Sequence, residues 1–222
     1  MNTKSLRIKI CGLKDVSQIL QIADMQPDFI GFIFYRNSPR YILDGLNLNE
    51  QVNMQFQLSA ISHPVQKVGV FVNEDIKSLI RIASEWELDY IQLHGDETPE
   101  YCEELRLLDF KLIKAFGIDE YTDWSAMEAY DEYCDYFLFD TKTALHGGSG
   151  LAFNWDLLSH YSLIKPLFLS GGIGVDDIPR IKQLAQKTSV EIVDLNSKLE
   201  ISRGIKDIGL CRQAIEFCKK QE

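Results

Sequence analysis

Residues 67–94 read KVGVFVNEDIKSLIRIASEWELDYIQLH. The run 67–72 is apolar and rich in valine, 75–86 has the apolar spacing of an amphipathic helix, and 90–94 returns to a strand pattern. The same unit repeats along the whole chain. Strands are predicted at 7–11, 29–34, 67–72, 90–94, 111–116, 136–140, 166–170 and 191–195. Helices are predicted at 16–25, 45–58, 75–86, 98–108, 121–131, 155–161, 175–187 and 206–220. Thr98 followed by Pro99 reads as an N-cap with proline at the first helical position. Most of the strands are apolar on both faces, as in a parallel sheet covered by helices. Eight strand–helix units in one uninterrupted chain predict an α/β fold, a (β/α)8 TIM barrel, as a single domain over residues 1–222. The architectural rival is a doubly wound open sheet. Its phosphate loop follows the first strand, and here that strand runs into Cys11-Gly-Leu-Lys-Asp15, without a GxGxxG or GKS/T pattern.

Composition narrows the class of function. The chain has 222 residues, is 45% hydrophobic and 25% charged, and carries a formal net charge of -10. That balance argues against a nucleic-acid partner, which calls for a basic face. An anionic small molecule fits only where a few cations or N–H groups converge. Five cysteines, at 11, 102, 134, 211 and 218, show no CxxC spacing, so neither a zinc site nor a disulfide framework is indicated, and a reducing cytoplasm is expected. The first nine residues lack a signal-peptide core, and no apolar run approaches a membrane span.

The strand ends carry the chemistry. In a barrel they open onto one rim, where active sites are built. Cys11 ends the first strand, Arg40 follows the second, His94 ends the fourth, and Asp140 ends the sixth. Asp194 lies within the eighth, before Asn196-Ser197. A thiolate can act as base or nucleophile, a carboxylic acid can give a proton, and an arginine fork matches a carboxylate or phosphate. Together they suit proton transfer on an anionic small molecule, with no metal and no cofactor. Each also has a plain alternative. Cys11 could be a small buried hydrophobe, Asp140 a loop cap, and Arg40 half of a rim ion pair. Asp194 reads as an inward group held by hydrogen bonds and His94 as a rim residue, while His146 receives no role. After strand seven, Ser170-Gly-Gly-Ile-Gly174 places Gly171, Gly172 and Gly174 ahead of a helix, which suits backbone N–H contact with phosphate. Gly147-Gly-Ser-Gly150 reads as a cover over the site.

An ordered set of motifs spans nearly the whole chain. It comprises Lys9-Ile-Cys-Gly12, Gly31-Phe-Ile-Phe34, Ser38-Pro-Arg-Tyr41, Val68-Gly-Val-Phe-Val-Asn73, Ile91-Gln-Leu-His-Gly95, Phe139-Asp-Thr-Lys142, Gly147-Gly-Ser-Gly150 and Leu169-Ser-Gly-Gly172. This set resembles the phosphoribosylanthranilate isomerases of tryptophan biosynthesis. The resemblance implies an aldose–ketose isomerase that carries out an Amadori rearrangement, the third step from chorismate to tryptophan. It implies Cys11 as general base, Asp140 as general acid and Arg40 as the holder of the anthranilate carboxylate. Gly171, Gly172, Gly174, Asn196 and Ser197 are implied as the phosphate site. The small phosphorylated substrate would be met by a cytoplasmic monomer or homodimer. One departure stands out. Asn196-Ser-Lys-Leu-Glu200 carries Lys198 where the family usually has glycine, so Lys198 either contacts phosphate or points outward. Two rival functions remain. One is another barrel enzyme on phosphorylated sugars, such as indoleglycerol-phosphate synthase, which needs a lysine and a glutamate at strand ends. The other is a binding protein that keeps the pocket, for which Cys11 and Asp140 are unnecessary.

Overall fold

The computed structural model describes residues 5–61, 64–142 and 153–220. Eight parallel strands close into a barrel in chain order. They are β1 (Arg7–Ile10), β2 (Phe29–Ile33), β3 (Gln66–Phe71), β4 (Tyr90–Leu93), β5 (Leu112–Ile118), β6 (Tyr136–Thr141), β7 (Leu167–Leu169) and β8 (Val190–Leu195). Closure is made by β1 against β8, with Lys9 opposite Asp194. Outside lie α1 (Val16–Ala23), α2 (Leu48–Ser59), α3 (Ile76–Glu85), α4 (Pro99–Leu107), α5 (Ile178–Ala185) and α6 (Ile208–Lys219). Asp15, Asn47, Asp75, Thr98 and Asp207 each accept a backbone N–H of the first turn that follows, which sets where a loop stops and a helix starts. Among the described residues no helix is long and apolar enough to cross a membrane.

Four predicted helices differ from what forms. The segments 121–131 and 155–161 fold only as short 3-10 turns, Ser125–Tyr130 and Trp155–His160. Ahead of the first, Asp119, Thr122 and Asp123 side chains accept the N–H groups of Tyr121, Asp119 and Ser125, so local hydrogen bonds replace helical ones. The predicted 175–187 helix begins as a 3-10 turn, Val175–Asp177, before α5. The start of 206–220 is instead half of a hairpin, β9 (Glu200–Ser202) with β10 (Ile205–Lys206).

Two cores result from the period-2 alternation of the strands. The larger lies between barrel and helices. The smaller fills the barrel with Phe29, Val68, Tyr90, Ile113, Ala115, Leu138, Phe168 and Ile192. Phe168 packs edge-on against Phe29 and Tyr136, with ring centroids 5.2 Å away in both cases. Arg7 reaches across to the Tyr136 hydroxyl at 3.1 Å. This plug closes the lower end, so polar chemistry is confined to the carboxyl ends of the strands. Truncating the fully buried Phe168 to Ala is expected to cost about 3–5 kcal/mol, read as a lower urea midpoint with the far-ultraviolet spectrum retained.

Candidate active site

Cys11 sits one residue beyond β1, its N–H bonded to Leu195 O at 2.9 Å. Its thiol faces β2 where that strand has no side chain. A Cβ on Gly31 would stand 2.7 Å from Cys11 Sγ and 3.0 Å from Lys9 Cε, so only glycine fits there. Burial pushes the Cys11 thiol up, while Lys9 and Lys206 pull the other way. A thiolate here therefore depends on those two ammonium groups.

A buried polar chain runs through the barrel beneath the rim. Lys9, fully buried, donates to Gln92 Oε1 at 2.5 Å and Asp194 Oδ2 at 3.1 Å. Burial opposes its charge, but Asp194 and Cys11 outweigh burial and raise its pKa, so Lys9 stays an ammonium. Gln92 Nε2 lies 2.8 Å from His94 Nδ1, and His94 Nε2 lies 3.6 Å from Asp140 Oδ2. The other Asp140 oxygen accepts Thr141 N–H at 2.7 Å. Asp194 is the inward, hydrogen-bonded group that its sequence position suggests, with Oδ1 finding no partner among the described residues.

A second network holds Arg40. The loop after β2 folds back on the strand, with Ile42 N bonded to Ile33 O at 3.0 Å and Arg40 N to Ser38 Oγ at 3.1 Å. Arg40 then donates through Nε and Nη2 to both oxygens of Glu200, each at 2.7 Å. Lys206, fully buried, donates to Glu200 Oε1 at 3.0 Å and Asn196 Oδ1 at 2.8 Å. Burial lowers the Lys206 pKa. Burial would raise the Glu200 carboxyl, yet Arg40 and Lys206 prevail and hold it below the usual range. Two cations and one carboxylate leave a net charge of +1, suited to one more anion.

The loop after β7 crowds Asp140. Gly171 has φ 94° and Gly172 φ 61°, a region that favours glycine. A Cβ on Gly171 would lie 2.4 Å from Thr141 Oγ1 and 2.9 Å from Asp140 Oδ1. Gly174 N–H donates to Asp177 Oδ2 at 2.8 Å. Lys198 is exposed, and its Cβ lies 3.8 Å from where a Gly174 side chain would begin, so the loops after β7 and β8 abut. Ser197 opens the short turn after β8. His146 and Gly147 to Gly150 lie outside the described residues.

Cys11, Arg40, Asp140 and Asn196 thus gather on one rim, Arg40 and Asn196 meeting against Gly12. Arg40 also takes the rim ion pair that its sequence left open. Sequence reasoning missed the roles of Lys9, Gln92, Glu200 and Lys206. The available signal was a lysine in RIKI and a glutamine in YIQL, polar residues inside otherwise apolar strands. Chemically, the rim offers a thiol with cations beside it, a carboxyl with a neighbouring imidazole, and a guanidinium.

A family model described as N-(5'phosphoribosyl)anthranilate (PRA) isomerase matches residues 8–217. An N-(5'-phosphoribosyl)anthranilate isomerase of Parabacteroides distasonis is 40% identical over 94% of this chain and 91% of its own. The crystal structure of the phosphoribosyl anthranilate isomerase from Thermus thermophilus superposes with a TM-score of 0.80 at 25% identity, covering 96% of this chain and 98% of that one. Another such isomerase, in complex with reduced 1-(o-carboxyphenylamino)-1-deoxyribulose 5-phosphate, gives 0.74 at 29% identity with the same coverage of 96% and 98%.

The Glu200 network carries a stability prediction. Glu200→Gln leaves Arg40 and Lys206 without their counter-charge and is expected to cost roughly 3–5 kcal/mol at neutral pH. The native carboxyl titrates below its unfolded value, so its contribution is present above the unfolded pKa and fades as pH falls through the native one. Urea unfolding from about pH 7 to about pH 3 checks both: the variant should be weaker at neutrality and lose part of the acid slope.

Proposed function

The chain belongs to the N-(5'-phosphoribosyl)anthranilate isomerase family, and on that premise we propose that Asp140 and Cys11 are the acid and base of its reaction. That reaction is the Amadori rearrangement of N-(5-phosphoribosyl)anthranilate to 1-(2-carboxyphenylamino)-1-deoxyribulose 5-phosphate in tryptophan biosynthesis. Asp140 gives its proton to the furanose ring oxygen as the C1–O bond breaks. The amine lone pair forms the C=N bond of a Schiff base. Cys11 thiolate then takes the proton from C2; those electrons form C1=C2, and the C=N pair returns to nitrogen. The enolamine becomes the ketone when the proton on O2 leaves and C1 gains one. Acid and base act on different atoms of one clamped substrate, which is why they sit on β6 and after β1. Each transfer of this kind contributes about 10²–10⁴-fold.

The single observation that carries the reading is the polar chain with Cys11 beside Lys9 at one end and Asp140 at the other. Glu200 occupies Nε and Nη2 of Arg40, which leaves Nη1 as the edge for the anthranilate carboxylate. The net +1 of that cluster suits the same anion. We assign the phosphate to N–H groups of Gly171, Gly172 and Gly174 with the Asn196-Ser197 turn. A phosphate oxygen at Gly174 N–H would displace the Asp177 carboxylate. We propose a monomer or a homodimer as the working form. The five cysteines are free thiols, which suits the cytoplasm.

Fluorescence of the anthranilate group follows turnover of freshly generated substrate. Asp140→Asn and Cys11→Ala should each lower kcat by about 10²-fold or more with modest change in KM. Near-wild-type turnover in either variant would remove that residue from the mechanism.

A further inference from the structure

We infer that Gln92 is a positioning residue that fixes the ring proton of His94 on Nε2, facing Asp140. The inference deepens the acid role of Asp140 proposed above and rests on it.

Donors and acceptors decide the tautomer. An ammonium has donors only, so the atom of the Gln92 amide facing Lys9 Nζ at 2.5 Å must be its oxygen. Lys9 cannot turn away, being fully buried and bonded to Asp194 at 3.1 Å. The Gln92 side chain, 1% exposed, therefore presents its NH2 to His94 Nδ1 at 2.8 Å. An amide NH2 only donates, so Nδ1 must carry the lone pair. The neutral ring then holds its proton on Nε2, toward Asp140 Oδ2. The opposite tautomer would set two N–H groups, Gln92 Nε2–H and His94 Nδ1–H, against each other.

The arrangement matters when Asp140 gives up its proton. At 3.6 Å the Nε2–Oδ2 contact is too long for a hydrogen bond. It needs to close by well under an ångström as negative charge develops on the carboxylate, and catalytic hydrogen bonds often tighten in this way. The donor is aimed beforehand at the charge that appears. Thr141 N–H already holds the other oxygen, so His94 completes the pair of donors on the conjugate base. The competing explanation is that Gln92 only fills space and satisfies Lys9.

Gln92→Glu separates the two. It is nearly isosteric and still accepts from Lys9, but its second oxygen accepts where the amide donated. The His94 proton should move to Nδ1, leaving a lone pair toward Asp140. Nitrogen-15 NMR of the four histidines reads the tautomer at a pH where the rings are neutral, with the His94 signals identified by their loss in His94→Gln. We expect the Nε2–H form in the wild type and the Nδ1–H form in Gln92→Glu. The variant's kcat should fall roughly 10²-fold with KM within about threefold. His94→Gln can still point an N–H toward Asp140 and should keep kcat within about tenfold of wild type, a rescue that simple space filling does not predict. The Nδ1–H form in the wild type, an unmoved tautomer in Gln92→Glu, or a moved tautomer with wild-type kcat would each overturn the inference. The wild-type tautomer is read without turnover and needs only that His94→Gln folds. Loss of the Asp140 assignment would show separately, as retained turnover in Asp140→Asn.

Discussion

One buried charge governs the site. Lys9 lies in the middle of the barrel, above the Phe168 ring at 5.9 Å and below the rim. An ammonium in such a place is tolerated only if it is paired and hydrogen-bonded. Asp194 meets the first need and Gln92 the second. Those obligations fix the β1–β8 register on one side and the Gln92 amide on the other. Cys11 lies two residues beyond Lys9 and His94 two beyond Gln92, so period-2 alternation lifts both to the rim. The Cys11 thiol thereby gains a cation beside it, and the imidazole next to Asp140 gains a fixed neighbour. The aromatic plug keeps water from entering below, which preserves the strength of these interactions.

Glu200 does similar work at the surface end. The β9–β10 hairpin brings Lys206 back under the rim, where Gln18 of α1 bonds both its N–H and its carbonyl at 2.9 Å. Lys206 then completes the set of Arg40, Glu200 and Asn196. Two adjoining clusters result, one neutral when Cys11 is a thiol and one carrying +1. An anion would balance the second, and both Lys9 and Lys206 favour the thiolate form of the first.

Much of the fold was legible because barrel strands are apolar on both faces and stand out from helices. The two segments that failed, 121–131 and 155–161, have the composition of helices but are short and begin among Asp, Thr and Asn side chains that capture backbone donors. At the site, Cys11, Arg40 and Asp140 were legible because they fall at strand ends or in the loops beyond them. Lys9 and Gln92 were not, since a polar residue in mid-strand gains meaning only from its partner across the barrel. Asp194, in the same position, was read as an inward group, and its partner Lys9 emerged only from the closure of β1 on β8. Lys206 is hidden for another reason: its sequence reads as the start of a helix, and only the hairpin turns it inward.

If the buried ammonium of Lys9 sustains the proposed chemistry and not only the barrel, its neutral replacement must slow turnover. The most direct measurement is kcat of the charge-balanced double variant Lys9→Met/Asp194→Asn, with cooperative unfolding followed in parallel. A folded barrel is expected, with kcat lowered by about 10²-fold or more, because Cys11 loses the cation beside it and Gln92 its fixed orientation. A folded double variant that turns over at the wild-type rate would contradict it.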